Sequence, residues 1–146
     1  MSNHKINYDK LFKEEVDRIK QKPQKPTLLL HVCCAPCFTH PYNMLKDYFA
    51  ITIIYNNSNI YPESEYQRRL DELKAYLKAI NAAITIISFP YDNQTFVQDL
   101  LPYSTQREGM DRCRLCFQKR LSQAFEYAQQ NNFDYCGTAM SISRFK

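Results

Sequence analysis

The chain has 146 residues, of which 45% are hydrophobic and 14% aromatic, with Tyr 11 and Phe 9 but no Trp. That length and apolar content predict a single compact domain and exclude a disordered chain, while Gly 2 and Pro 7 exclude collagen-like and linker-like classes. The formal net charge of +4 is unevenly placed, with +3 over residues 1–26, +3 over 112–130 and −3 over 81–111. A basic bias on two segments permits a nucleic-acid partner without requiring one.

Residues 7–21 place Tyr8, Leu11, Phe12, Val16 and Ile19 on one side at helical spacing, and the Lys/Pro-rich stretch that follows ends the helix. Residues 1–26 are therefore expected to form an N-terminal helical arm ahead of an α/β domain over 27–146. Residues 27–32 form a short apolar run, and 51–55 and 84–87 are further runs rich in β-branched residues; all three read as buried strands. A helix is expected over 41–48 after the first strand. Between the second and third strands, residues 63–80 carry the stripe Tyr66, Leu70, Leu73, Leu77 and Ile80, an amphipathic helix. A last helix is expected over 113–130, with Phe117, Leu121, Ala124, Phe125 and Ala128 as its apolar residues, and a short strand over 133–136. Strands alternating with helices predict a parallel sheet with flanking helices, whose ligands gather beyond the carboxyl ends of the strands.

No run approaches the eighteen or so apolar residues needed to cross a bilayer, and residues 1–26 lack the apolar stretch of a signal peptide, so no membrane partner and a cytoplasmic location are expected. In that reducing compartment six cysteines favour metal binding or thiol chemistry over disulfides. Cys33, Cys34 and Cys37 lie where the first strand hands over to a helix, preceded by His31. Cys113 and Cys116 stand three residues apart at the start of the last helix, flanked by Arg112 and Arg114, and Cys136 is isolated. A helix N-terminus and neighbouring arginines favour thiolates. Three chemistries fit: a structural zinc site in an RNA-binding module, a thioredoxin-like dithiol at Cys34 and Cys37, and an iron-sulfur redox enzyme, which uses all five clustered thiols.

Several separated motifs together resemble those of the epoxyqueuosine reductases of the QueH type. They are His31-Val32-Cys33-Cys34-Ala35-Pro36-Cys37, the segment from Tyr55 to Pro62 followed by Glu65, Tyr66 and Arg68 or Arg69, then Arg112-Cys113-Arg114-Leu115-Cys116-Phe117 with Arg120 and Leu121, and finally Ser141 to Ser143. The resemblance runs from about Thr27 to Lys146. It implies an α/β fold related to adenine-nucleotide α-hydrolase-like (HUP-like) domains. It also implies reductive removal of the epoxide oxygen of epoxyqueuosine at the wobble position of tRNA, with an electron donor yet to be identified.

The cofactors so implied are a 4Fe-4S cluster and an additional mononuclear iron. Transferred by position, Cys33, Cys34, Cys113 and Cys116 are expected to hold the cluster and Cys37 the second iron. His31 would be a proton donor or would support a ligand, with a purely structural histidine as the alternative. Asn57, Asn59, Tyr61, Arg69, Arg112 and Arg120 are candidates for contacts to the RNA: amides for a base or sugar, Tyr61 for stacking, arginines for phosphate. For Asn57 and Asn59 the alternative is turn formation, and for Arg69 an i,i+4 pair with Glu65. The stretch Tyr135-Cys136-Gly137-Thr138-Ala139-Met140 departs from the Tyr-Phe-Thr-Thr-Thr-Leu expected of the family, and Cys136 reads as a buried residue. The family pattern also leads us to expect a further cysteine-bearing segment after the last motif.

Overall fold

A computed structural model of the protein describes residues 5–142. Ser143 of the last motif lies outside the described residues. The first helix, α1 (Tyr8–Lys20), opens on Asn7, whose side-chain oxygen accepts the Lys10 N–H at 3.0 Å. Of its predicted apolar side, Val16 and Ile19 are buried, whereas Tyr8 and Leu11 face solvent.

Four strands, β1 (Thr27–His31), β2 (Ala50–Tyr55), β3 (Ile86–Ser88) and β4 (Tyr135–Thr138), form one all-parallel sheet in the order β3-β2-β1-β4. β1 pairs with β2 from Thr27 opposite Ala50 to His31 opposite Ile54, and with β4 from Leu28 opposite Tyr135 to His31 opposite Thr138. At its start, β1 is fastened to the loop before β4 by Asp134. The Thr27 N–H donates to its carboxylate at 2.9 Å and the Thr27 hydroxyl at 3.1 Å, which holds that carboxyl below the usual range. Parallel sheets need cover on both faces, and the strand residues supply two apolar surfaces accordingly. Leu28, Leu30, Ile53 and Tyr55 share a core with Ile19, Phe38 and the stripe Tyr66, Leu70, Leu73, Leu77; Leu29 and Ile54 pack on the other face against Ala124 and Ala128.

Those partners come from α1, which supplies Ile19, and from α2 (Ala35–Leu45), α3 (Glu63–Ala79) and α5 (Asp111–Gln130), with a short α4 (Asn93–Gln98) and a 3-10 turn at Leu101–Tyr103 between β3 and α5. Three expectations need correction. The helix after β1 begins at Ala35, not near residue 41: Cys34 is its extended N-cap, and Pro36 sits in the first turn, where a missing N–H costs nothing. Pro41 is carried inside that helix.

The second correction concerns α5, which buries Arg120, Ala124 and Ala128 and leaves Phe125 53% exposed. Its inward row has four-residue spacing and small residues, which lets the helix lie close on Leu29 and Ile54. Lastly, α4 went unpredicted although Asp92 caps it by accepting the Thr95 N–H at 3.1 Å, a readable N-cap signal.

Candidate metal centre

The order in which strands are added to the sheet reverses between β1 and β4, the position at which open α/β sheets collect ligands. Both cysteine segments arrive at the carboxyl edge of this sheet as helix N-termini. Cys33 is buried, Cys34 and Cys37 are half-buried, and the three sulfurs lie within 4.8 Å of one another. The Cys33 and Cys34 sulfurs are 3.8 Å apart. A tetrahedral metal with bonds of about 2.3 Å sets its thiolates about 3.8 Å apart, so this pair already has the spacing of two ligands on one ion. The donor set fits a thiophilic metal.

Cys34 is also electronically prepared. The Cys33 thiol donates to it, and the thiol and N–H of Cys37 and the positive charge of Arg69 add to the effect. Against the opposing effect of burial, these hold the Cys34 thiol down at about 5. Arg69 reaches this role while its Nε donates to the Glu65 carboxylate at 2.8 Å, the i,i+4 pair that was the alternative for it. Glu65 is held down at about 2 by Arg68 first and Arg69 second.

Cys113 and Cys116 occupy the first two turns of α5 and line a cleft of about 280 Å³ with Asn59, Arg112, Phe117 and Arg120. The Gly109 N–H donates to the Cys113 sulfur at 3.3 Å. Among the described residues, the group close enough to share one ion is Cys33, Cys34 and Cys37; Cys113 and Cys116 stand outside it.

A hydrogen-bond network joins the two segments. Asn57 is fully buried, and its Nδ2 donates to the Val32 carbonyl, one residue before Cys33, at 2.9 Å. That orients its Oδ1 to accept from His31 Nε2 at 3.1 Å and from Arg120 Nη1 at 3.5 Å. With Nε2 carrying the proton, His31 Nδ1 accepts from the Thr138 hydroxyl at 3.0 Å, across the β1/β4 junction. Asn56 adds a second tie to α5, donating to the Arg120 carbonyl and the Gln123 side chain, each at 2.9 Å. Sequence reasoning singled out His31, Asn57 and Arg120, but neither this connection nor Thr138, whose signal is only its place at the end of a strand.

The remaining candidates divide by exposure. Asn59 and Arg112 line the α5 cleft, Arg112 also donating to the Ser104 carbonyl at 3.3 Å. Tyr61 is 77% exposed, at the rim of a neighbouring cleft of about 730 Å³ walled by Tyr91 and α4; Val97 of α4 lines both hollows. Cys136 is half-buried beside Leu29, and burial pushes its thiol up. No helix among the described residues is long and apolar enough to cross a membrane.

Comparison with known proteins accords with these features. Residues 28–146 match the family model described as Epoxyqueuosine reductase QueH. Proteins of that name are similar to this chain: one from Staphylococcus aureus (strain Mu50 / ATCC 700699) is 36% identical over 149 residues, covering 98% of this chain and 62% of the relative. One from Streptococcus pyogenes serotype M1 is 34% identical over 148 residues, covering 99% and 58%, and one from Haemophilus influenzae is 33% identical over 133 residues, covering 88% and 54%. The chain thus spans a little over half to about three fifths of the length of these relatives. With a family match over most of its length and the cysteine motifs in place, the chain belongs to the QueH family of epoxyqueuosine reductases.

Proposed function

We propose that this chain carries the metal centre of a cytoplasmic tRNA-modifying reductase that converts epoxyqueuosine to queuosine at the wobble position. The supporting observation is the close-set trio Cys33, Cys34 and Cys37 at the start of α2, with Asn57 linking the residue before it to Arg120 of α5, the helix that carries Cys113 and Cys116. In this reading Cys33, Cys34, Cys113 and Cys116 hold a 4Fe-4S cluster and Cys37 holds an adjacent iron. Converting an epoxide to an alkene breaks two C–O bonds, forms a carbon-carbon double bond and releases water, consuming two electrons and two protons. When bound, the cluster and iron supply one-electron transfer and a Lewis acid for the departing oxygen.

The chain's own residues prepare this chemistry. The Cys33 thiol first, then Cys37 and Arg69, keep Cys34 a thiolate, ready to bind metal without releasing a proton at neutral pH. His31 and Asn57 hold the end of β1, with both His31 ring nitrogens engaged inside the protein, which suits a positioning role. In this reading Asn59 and Arg112, which line the α5 cleft, and the exposed Tyr61 contact an unpaired nucleotide, Tyr61 by stacking.

The test is to load the chain anaerobically with iron and sulfide, then supply tRNA bearing epoxyqueuosine and a chemical reductant. Loss of one oxygen atom from the wobble nucleoside, read by mass spectrometry, is expected. An unchanged nucleoside with a fully loaded, reduced centre would contradict the activity.

A further inference from the structure

We infer that Arg120, which lines the α5 cleft beside Cys116, is the buried countercation of the thiolate-bound metal centre and raises the potential at which that centre accepts an electron. The inference rests on the metal-centre reading above and assigns one residue a role within it.

Among the described residues the charge of Arg120 meets no carboxylate. Its side chain is 3% exposed, and a guanidinium keeps its proton at any pH a folded protein survives. Burying such an ion is costly unless an anion meets it. Among the described residues the Arg120 side chain donates to the neutral Asn57 at 3.5 Å and lies 5.3 Å from the Phe117 ring centre. Arg120 Nε is buried and meets no acceptor among the described residues.

The cleft that Arg120 lines indicates where the missing anion belongs. Cys116 precedes Arg120 by one helical turn, so the two side chains are neighbours on α5, and Cys113 continues the same stripe. Glu108, which also lines the cleft, is exposed and enters no ion pair among the described residues. An RNA phosphate suits the partly exposed Arg112 better than a guanidinium sealed beneath the sheet edge. Metal-bound thiolates carry net negative charge at all times and gain more on reduction. A fixed positive charge beside them therefore stabilises the reduced state more than the oxidised one.

The experiment uses the full chain, loaded anaerobically with iron and sulfide, as wild type, R120K and R120Q. Iron content is measured first, then the midpoint potential by a redox titration followed by absorption and electron paramagnetic resonance. We expect the reduced fraction at a fixed potential to fall about tenfold in R120Q, equivalent to a midpoint about 59 mV lower for a one-electron couple, with R120K shifted less because it keeps the charge. Wild-type protein labelled with 15N-arginine supplies a second readout that needs no variant to fold: nitrogen hyperfine coupling in the reduced centre is expected. A wild type without that coupling, or R120Q with full iron and an unmoved midpoint, would overturn the assignment of Arg120 and leave the metal centre standing. Failure of the wild type to bind iron would remove the metal-centre reading itself, and this inference with it.

Discussion

Cys34 shows how a few neighbours redirect an ordinary side chain. A thiol that ionises near 9.0 in a free chain is brought to about 5 by the Cys33 thiol first, then by Cys37 and Arg69. In metal-free, reduced protein Cys34 should therefore be the first cysteine alkylated by iodoacetamide at neutral pH. Its rate should hold nearly constant down to about pH 6 and fall as pH drops through 5, because the reactive thiolate is then protonated. Peptide mapping by mass spectrometry checks this; preferential labelling of Cys136, whose thiol burial pushes up, would contradict it. The sign for stability follows: a lowered value means the thiolate's contribution is complete above about 9 and is lost as pH falls through 5. Asn57 is a second residue with more than one task. Asn57→Ala strands the Val32 carbonyl and removes the acceptor of His31 and Arg120, so a loss of about 1–3 kcal/mol is expected in urea unfolding of the metal-free protein. The cysteine spacing, His31 and the Asn-rich loop were all readable, because local motifs carry them. The burial of Arg120 was not, because it depends on which face of α5 meets the sheet.

At the scale of elements, α5 couples packing to chemistry. Ala124 and Ala128 let it approach Leu29 and Ile54, and the same four-residue row continues through Arg120 to Cys116. Ala124→Leu forces the helix off the sheet and should cost about 1–3 kcal/mol, with weaker metal retention, whereas Phe125→Ser, on the exposed side, should change stability by less than about 0.5 kcal/mol. Thermal melts of the two variants side by side decide whether that row or the larger Phe residues form the packed face. Sequence periodicity named Ala124 and Ala128 together with Phe117, Leu121 and Phe125; the two alanines are buried and Phe125 is not, because hydrophobicity alone cannot register that only small residues fit where the gap is narrow. For α3 periodicity did identify the packed face: Tyr66, Leu70, Leu73 and Leu77 are all buried as their spacing required. Leu73→Ala should cost about 2–5 kcal/mol by chemical denaturation. The start of α2 was obscured because proline at 36 and 41 reads as a helix breaker, although the first turn accepts it.

For the whole molecule, topology decides what the cysteines can do. Alternating strands and helices were enough to foresee a parallel sheet, but not that β4 would join beside β1 and bring Thr138 opposite His31. That choice makes β1 central and sets the Cys33 loop at the reversal point of the sheet, while α5 delivers Cys113 and Cys116 to the same edge. The two thiol segments are separated by about half of the chain and linked through Asn57. The most direct test that both serve one centre is iron and acid-labile sulfide per chain after anaerobic loading, compared between the wild type, Cys34→Ser and Cys116→Ser. The account predicts about four to five irons with matching sulfide in the wild type and a marked loss in each variant. Zinc alone in the wild type, or a full iron load in Cys116→Ser, would contradict it.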